Sequence, residues 1–156
     1  MNLYVASPLG FSEAGRHFLQ ERLHPLLESQ GHRILDPWAS PRQADIDAAS
    51  ALPFGQAQRD AWRALSPLIA ADNAAAIRAA DQVLAVLDGP DVDSGVAAEI
   101  GYAAALGKRI IGYRGDFRPA GDNVGATVNL QVEYFIRAGG GVIVLALDEI
   151  AAALAG

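Results

Sequence analysis

Short apolar runs alternate with longer segments of mixed polarity along this chain, and the pattern predicts the order of its strands and helices. The apolar runs predict five strands, at 3–6, 33–35, 83–87, 109–113 and 142–145. Apolar residues at helical spacing predict helices over 11–30, 67–80, 95–106, 126–137 and 148–154. Strands and helices that alternate in this way form a parallel sheet with helices on both faces. The predicted fold class is therefore α/β.

Polar residues, prolines and glycines predict where the helices begin and end. Ser12 is the predicted N-cap of the first helix, and Gly31 is expected to end it. Pro67 is predicted to open a helix, because proline is tolerated in a first helical turn. The stretch 38–66 is broken by prolines and a glycine, so only short helical pieces are expected there. A long segment of this kind often covers a functional site.

The composition narrows the class of protein and of partner. The chain has 156 residues, 51% hydrophobic and 19% charged, which predicts a single globular domain over 1–156. A formal net charge of −6, without a run of lysine or arginine, argues against a nucleic-acid partner. With no cysteine, the chain forms no disulfide, thiolate nucleophile or cysteine-ligated metal site.

The hydropathy of the chain also bears on its location. No apolar run reaches the roughly 20 residues that a membrane helix needs. The N-terminus lacks the basic start and apolar stretch of a signal peptide. We therefore expect a cytoplasmic protein with no membrane partner.

Carboxylates crowd the turn that follows the third predicted strand. Ligands of parallel α/β sheets bind beyond the carboxyl ends of the strands, where this turn lies. Glu99 falls on the flank of the next helix's apolar face, near its start, so its carboxylate is expected to be half buried there. Such a carboxylate can act as a nucleophile or a base; the alternative is a glutamate that only complements the helix dipole. Asp93 is either a ligand-binding group or simply the N-cap of this helix.

Two further polar residues stand in apolar surroundings. Asn73 interrupts an apolar helical stripe, so its amide either bonds to the backbone or points into a site. Tyr4 lies in the first strand; if its hydroxyl is buried it needs a partner, for which Glu99 is one candidate. The GxGxxG and GxxxxGK[ST] motifs are missing, the three histidines lack metal-ligand spacing, and Ser7 lacks a GxSxG context. A serine hydrolase or zinc enzyme is therefore not expected.

Four segments, in order and spacing over nearly the whole chain, resemble the nucleoside 2-deoxyribosyltransferase family. The most specific is Asp93-Ser94-Gly95-Val96-Ala97-Ala98-Glu99-Ile100-Gly101-Tyr102-Ala103, followed by Ala105-Leu106-Gly107-Lys108. The others are LYVASPLGF at 3–11, NAAAIRAAD at 73–81, and Asn129-Leu130. The resemblance implies a flavodoxin-like, Rossmann-like arrangement of the sheet. It also implies a homo-oligomer built from dimers, up to a hexamer, with active sites shared between subunits.

The resemblance further implies roles for individual residues. Glu99 matches the family's nucleophilic glutamate, and Tyr4 matches the tyrosine that orients it. Asp93 matches an aspartate that binds the sugar hydroxyls. Asn129 matches a residue donated to a neighbouring subunit's sugar site, and Phe11 falls where an aromatic ring commonly packs on the base.

The implied substrate-binding set is completed by Gly95, Asn73 and Asp72. Some family members carry an aspartate that protonates the base where this chain has Asn73. An amide cannot deliver a proton, so either Asp72 does so or Asn73 only binds the base.

The implied reaction is transfer of 2-deoxyribose between bases, a step of nucleotide salvage. The glutamate attacks the anomeric carbon through an oxocarbenium-like transition state and forms a sugar ester, which a second base then cleaves. The implied partners are small-molecule nucleosides and free nucleobases, with no cofactor or metal. The alternatives are a 2′-deoxynucleoside 5′-monophosphate N-hydrolase and a non-catalytic nucleotide-derivative sensor. Asp93 would repel a 5′-phosphate, unless Arg16 or Arg42 enters the site.

Overall fold

One sheet flanked by helices makes up the computed structural model, which describes residues 1–156. The strands are β1 (Asn2–Ala6), β2 (Arg33–Leu35), β3 (Gln82–Val86), β4 (Arg109–Tyr113) and β5 (Ile143–Val144). The helices are α1 (Glu13–Phe18), α2 (His24–Ser29), α3 (Gln43–Ala51), α4 (Gln56–Ala79), α5 (Ser94–Ala105), α6 (Leu130–Ala138) and α7 (Glu149–Ala155). A 3₁₀ turn at Leu9–Phe11 precedes α1, and a π-helical segment at Leu19–Leu23 joins α1 to α2. None of these helices combines the length and hydropathy needed to traverse a lipid bilayer.

The strands are all parallel and lie in the order β2-β1-β3-β4-β5. The predicted five-stranded parallel sheet is confirmed, and this order is that of flavodoxin-like folds. Side chains alternate between two apolar cores, one on each face of the sheet. Tyr4 and Ala6 face the core that includes side chains of α4, α5 and α6. Leu3 and Val5 face the core formed with the π-helical segment, α2 and α7.

The first helical region begins and ends as predicted. The Ser12 hydroxyl accepts a hydrogen bond from the N–H of Gly15 at 3.0 Å, which caps α1. Gly31 has a φ of +80°, a conformation that side chains with a Cβ rarely adopt, and it follows the end of α2. These local signals act over a few residues, so the sequence carries them directly.

The predicted start of the helix before β3 is wrong. The helix α4 begins at Gln56, and Pro67 lies inside it. A proline inside a helix has no N–H for the carbonyl four residues earlier, here that of Arg63. Because Arg63 and Pro67 are both exposed, water can bond that carbonyl and the helix continues.

The predicted helix over 126–137 also begins too early. The helix α6 starts at Leu130, and Asn129 caps it by accepting hydrogen bonds from the N–H groups of Gln131 and Val132. The Asp122 carboxylate accepts a further bond from the N–H of Leu130 at 2.6 Å. Two side chains before the helix therefore satisfy its first N–H groups, and the chain from 126 to 129 is not helical.

A buried arginine joins two loops at the carboxyl edge of the sheet. Arg114 follows β4, is 2% exposed, and donates hydrogen bonds to the carbonyls of Leu87, Gly89 and Arg118. Leu87 and Gly89 begin the turn that leads from β3 to α5. Because a guanidinium presents its donors in a rigid fork, this one side chain positions both loops.

We expect Arg114→Met to lower the free energy of unfolding by about 2–4 kcal/mol, because it leaves buried carbonyls without donors while keeping much of the packing. Urea unfolding followed by circular dichroism measures this loss. Arg137→Met is the matched control, since Arg137 is exposed and pairs with Glu133 along the surface of α6. Such a pair contributes about 0.3–0.5 kcal/mol. Equal losses in the two variants would contradict the role given to Arg114.

Candidate functional site

The candidate site is a cavity of about 950 Å³ at the carboxyl edge of the sheet. It lies beside β1 and β3, between which the order of the strands reverses. At such a reversal the segments after the two strands diverge, and the crevice between them is where ligands of these folds bind. Residues that follow β1, β2 and β3, together with residues of α4 and α5, line the cavity.

A short hydrogen bond joins the sheet to the cavity wall. The Tyr4 hydroxyl donates to Glu99 Oε1 at 2.6 Å. Tyr4 is fully buried in β1, so its position is set by the core, whereas Glu99 on α5 is half buried and lines the cavity. The structure therefore brings together the two residues that the sequence singled out as nucleophile and orienting group.

The surroundings of Glu99 perturb its ionisation. Burial raises the pKa of the Glu99 carboxyl, the Tyr4 hydrogen bond lowers it, and the nearby Asp93 carboxylate raises it, with a net rise. Burial, the Glu99 charge and the shared hydrogen bond raise the pKa of Tyr4, so the tyrosine stays a neutral donor. A perturbed carboxyl group that lines a cavity is characteristic of functional sites.

Asp93 is the N-cap of α5 and also lines the cavity. Its Oδ1 accepts hydrogen bonds from the N–H groups of Gly95 at 2.9 Å and Val96 at 3.1 Å. Both bonds go to the same oxygen, which leaves Oδ2 for a ligand. Gly95 lines the cavity too, and a Cβ there would lie 3.0 Å from Asp93 Oδ1.

Aromatic side chains form another part of the wall. Phe11 is 75% exposed and meets Trp38 edge to face, with ring centroids 4.6 Å apart. The Trp38 indole N–H donates to the carbonyl of Ser7 at 2.9 Å. Its ring lies against Gly10, where a Cβ would come within 2.0 Å of the indole. Only glycine at that position allows the ring to lie there, and Trp62 of α4 adds a second indole to the lining.

A histidine and a carboxylate form a second polar cluster on the wall. His24 Nε2 lies 3.6 Å from Asp36 Oδ2, and their side chains are 18% and 13% exposed. The Nε2 atom is buried and has no hydrogen-bond partner. Asp36 Oδ1 accepts a bond from the N–H of Trp38 at 2.9 Å, so Oδ2 is the oxygen not engaged by the backbone.

Of the three remaining residues predicted from the sequence, one lines the cavity and two do not. Asn73 lines the cavity from α4. Asp72 does not, because its carboxylate is held by Arg42, with Nε–Oδ2 at 2.6 Å and Nη2–Oδ1 at 3.3 Å. Asn129 lies outside the cavity of its own chain, at the start of α6. Its part in a neighbouring subunit's site stays a prediction.

One of the two arginines considered from the sequence does reach the cavity. Arg16 lines it and donates a hydrogen bond to the carbonyl of Gly10 at 3.0 Å. Arg42 is occupied by Asp72 instead. The cavity thus holds one guanidinium as well as its carboxylates.

The cavity lining includes chemically important residues that the sequence did not predict, among them His24, Asp36, Trp38 and Trp62. Two of them carried a usable signal, since Asp36 and Trp38 follow β2 at the same sheet edge as the carboxylates after β3. The sequence spacing of His24 bears only on metal binding, and Trp62 lies in a stretch for which the sequence predicts only short helical pieces.

The arrangement suits attack on a carbon atom of a flat, partly polar ligand. A poorly solvated carboxylate fixed by one donor can serve as nucleophile or base. The aromatic rings offer faces for a planar ring, and Asp93 offers an acceptor for hydroxyl groups. No group of three or more histidine or carboxylate side chains lies close enough together to hold a metal ion.

Comparison with known proteins gives a family and a set of similar structures. The family model described as nucleoside 2-deoxyribosyltransferase matches residues 3–131. A conserved protein from Enterococcus faecalis V583 aligns with a TM-score of 0.71 and 23% identity, covering 99% of this chain and 97% of its own. A 2-deoxyribosyltransferase from Leishmania mexicana aligns with a TM-score of 0.63 and 25% identity, over 99% and 94% of the chains.

A third similar structure is an enzyme of different activity. The CMP N-glycosidase from Clostridium botulinum aligns with a TM-score of 0.53 and 17% identity, over 99% of this chain and 98% of its own. At this identity the likeness concerns the fold alone. Among curated proteins, no sequence matches this chain.

We expect Tyr4→Phe to raise the pKa of Glu99 further, because the hydrogen bond that favours the carboxylate is lost while its burial persists. Titration of carbon-13-labelled glutamate side chains by NMR measures the shift. Tyr102→Phe is the matched control, since its hydroxyl contacts Arg78 rather than a carboxylate. An unchanged Glu99 titration in Tyr4→Phe would show that the tyrosine only fills the core.

Proposed function

The chain belongs to the nucleoside 2-deoxyribosyltransferase family and is a nucleoside-modifying enzyme, and from this premise we propose that it exchanges the base of a 2′-deoxynucleoside through a covalent sugar–Glu99 intermediate. The observation that carries the proposal is the 2.6 Å hydrogen bond from Tyr4 to Glu99 at the cavity wall. It leaves Glu99 Oε2 for the reaction and holds the carboxylate still. A protein that only binds nucleosides has no need of a poorly solvated carboxylate held in this way.

The reaction proceeds in two displacements at the anomeric carbon. Glu99 Oε2 forms a bond to C1′ while the bond from C1′ to the base nitrogen breaks and its electron pair leaves with the base. A nitrogen of the second base then attacks C1′, and the ester bond to Glu99 breaks. Two inversions restore the original configuration, and the carboxylate is regenerated.

Asp93 binds the sugar of the nucleoside, and the aromatic side chains bind its base. Asp93 Oδ2 accepts hydrogen bonds from sugar hydroxyls, because Oδ1 is already engaged by the start of α5. The nucleobase lies against Phe11 and Trp38, where ring faces and edges are available. The Asn73 amide binds the polar edge of the base from α4, since it offers both donors and an acceptor.

The proposal includes a homo-oligomer with shared sites. Asn129 lies outside the cavity of its own chain, and its Nδ2 engages only Asp122. In the oligomer the region around Asn129 completes the sugar site of a neighbouring subunit. Exposed apolar side chains in the same region, Val124, Leu130 and Tyr134, support burial against another chain.

Glu99→Gln should abolish base exchange without weakening the fold. Deoxyinosine incubated with free adenine should yield deoxyadenosine with the wild type and none with the variant, and mass spectrometry should find a 2-deoxyribosyl adduct on Glu99. Because the pKa of Glu99 is raised in the fold, its ionisation opposes folding as pH rises, so removing the charge does not destabilise the protein at neutral pH. Near-normal exchange by a folded variant would rule out the covalent mechanism, and binding without any turnover in the wild type would support a sensor.

A second candidate function is hydrolysis of deoxynucleoside 5′-monophosphates. Arg16 favours it, because a guanidinium lining the cavity offers a partner for a phosphate dianion. Asp93 opposes it, because a carboxylate beside a phosphate costs on the order of 1 kcal/mol or more. Arg16 is exposed and already donates to the carbonyl of Gly10, whereas Asp93 is fixed at the start of α5. Repulsion of a phosphate by Asp93 therefore outweighs its attraction by Arg16.

Deoxynucleosides should therefore be used at least about ten times more efficiently than their 5′-monophosphates, a gap of roughly 1.4 kcal/mol. Comparing kcat/KM for deoxyinosine and its 5′-monophosphate measures the preference. Asp93→Ser should slow nucleoside turnover and narrow the gap, while Arg16→Gln should leave the preference for nucleosides intact. A wild type that prefers monophosphates, and loses that preference in Arg16→Gln, would establish the hydrolase instead.

A further inference from the structure

Cleavage of a nucleoside bond requires a proton for the departing base. The base nitrogen leaves with the electron pair of the broken bond, and a neutral nucleobase forms only if it gains a proton. Glu99 cannot supply that proton, since it must be ionised to attack. The inference that follows rests on the proposed function.

Most polar groups near the cavity are unsuited to this task. The Asn73 amide has no proton to give at neutral pH. Asp72 is held by Arg42 and does not line the cavity. Asp93 is occupied as the N-cap of α5 on the sugar side. The acid must therefore be sought among the other cavity residues.

We propose that a proton held by His24 passes to Asp36 Oδ2 and that Asp36 Oδ2 delivers it to the leaving base. The two side chains line the cavity, with His24 Nε2 3.6 Å from Asp36 Oδ2. His24 Nε2 is buried and has no hydrogen-bond partner, so a proton on it reaches the ligand only through Asp36, which is the group that contacts the ligand. The backbone N–H of Trp38 donates to Asp36 Oδ1, which leaves Oδ2 to deliver the proton.

The position of the pair matches the base rather than the sugar. Asp36 is two residues before Trp38, and the Trp38 ring forms the aromatic wall with Phe11. The Asp36 carboxylate is also close enough to raise the pKa of Tyr4, which places it within electrostatic range of the hydroxyl that holds Glu99. Nucleophile and acid thus line the same cavity.

The step balances as a single proton transfer. The bond from C1′ to the base breaks as Glu99 Oε2 bonds to C1′, and a ring nitrogen of the base takes the proton from Asp36 Oδ2. The pair is then ionised at Asp36 with His24 neutral. In the second displacement, the incoming base returns its proton to Asp36 as its nitrogen bonds to C1′, so the pair is ready for another cycle.

A substrate that needs no proton isolates this role. The base of 7-methyl-2′-deoxyguanosine carries a positive charge in the nucleoside and departs neutral without protonation, whereas hypoxanthine in deoxyinosine requires a proton. Asp36→Asn should reduce base release from deoxyinosine by about 100-fold and His24→Gln by about 10-fold or more, with less than about 10-fold and 3-fold losses on the methylated substrate. Asp148→Asn and His17→Gln, both at exposed positions, are the matched controls and should change neither rate.

The losses of base-release rate on the two substrates, compared with each other, test the role proposed for Asp36 and His24. Equal losses on the two substrates would overturn the proposal and assign the pair a structural role. So would full activity of either variant on deoxyinosine. If circular dichroism shows that Asp36→Asn does not fold, the ratio of the two rates in His24→Gln decides alone. A wild type that releases base from neither substrate would instead refute the proposed function.

Discussion

The Tyr4–Glu99 hydrogen bond lies where the sheet, α5 and the cavity meet. Tyr4 has no freedom, because the strand that carries it is paired on both sides and packed on both faces. Glu99 is carried by a helix whose start is fixed by the Asp93 side chain and whose inner face is buried against the sheet. One bond at 2.6 Å therefore stabilises a carboxylate whose burial is otherwise unfavourable. Any shift of β1 against α5 would break it and leave that carboxylate unpartnered.

The segments that follow β2 and β3 supply the other polar and aromatic side chains of the cavity wall near this bond. The segment after β3 supplies Asp93, which binds the helix start with one oxygen and leaves the other open. The segment after β2 supplies Asp36 and Trp38, one polar and one aromatic, within three residues. Arg114, on the far side of the turn from β3, has no direct part in the cavity but fixes the turn that leads to Asp93. Site geometry thus depends on side chains that bond to backbone carbonyls and N–H groups.

The sheet and its central residues were predictable because the relevant signals are local. Apolar runs placed β3 and β4 within a residue, and the helical wheel placed Glu99 half buried at the correct edge. The capping roles of Ser12 and Asp93 followed from side-chain chemistry over three residues. Parallel strands bring their carboxyl ends to one edge, so a single rule then placed Tyr4 and Glu99 near one another.

The rest depends on contacts between distant segments, which periodicity does not encode. Pro67 predicts a helix start, but the exposure of Arg63 allows the helix to run through Pro67, so the place of Trp62 in this helix is not predicted. His24 is in α2 and Asp36 follows β2, so their approach depends on how α2 packs against the sheet. The partner of Asp72, Arg42, comes from a connecting segment whose path no local pattern specifies.

The pairing of β1 with a strand that comes much later in the sequence also orders events during synthesis of the chain. β1 is the second strand from one edge of the sheet. Its neighbour β3 follows about 80 residues later in the chain, and Glu99 follows Tyr4 by 95 residues. Closing a loop of that length costs conformational entropy before any contact repays it. Until β3 has been synthesised, β1 therefore has only β2 to pair with, and its other hydrogen-bonding edge is open. The reaction centre is complete only once the helix that carries Glu99 has been synthesised.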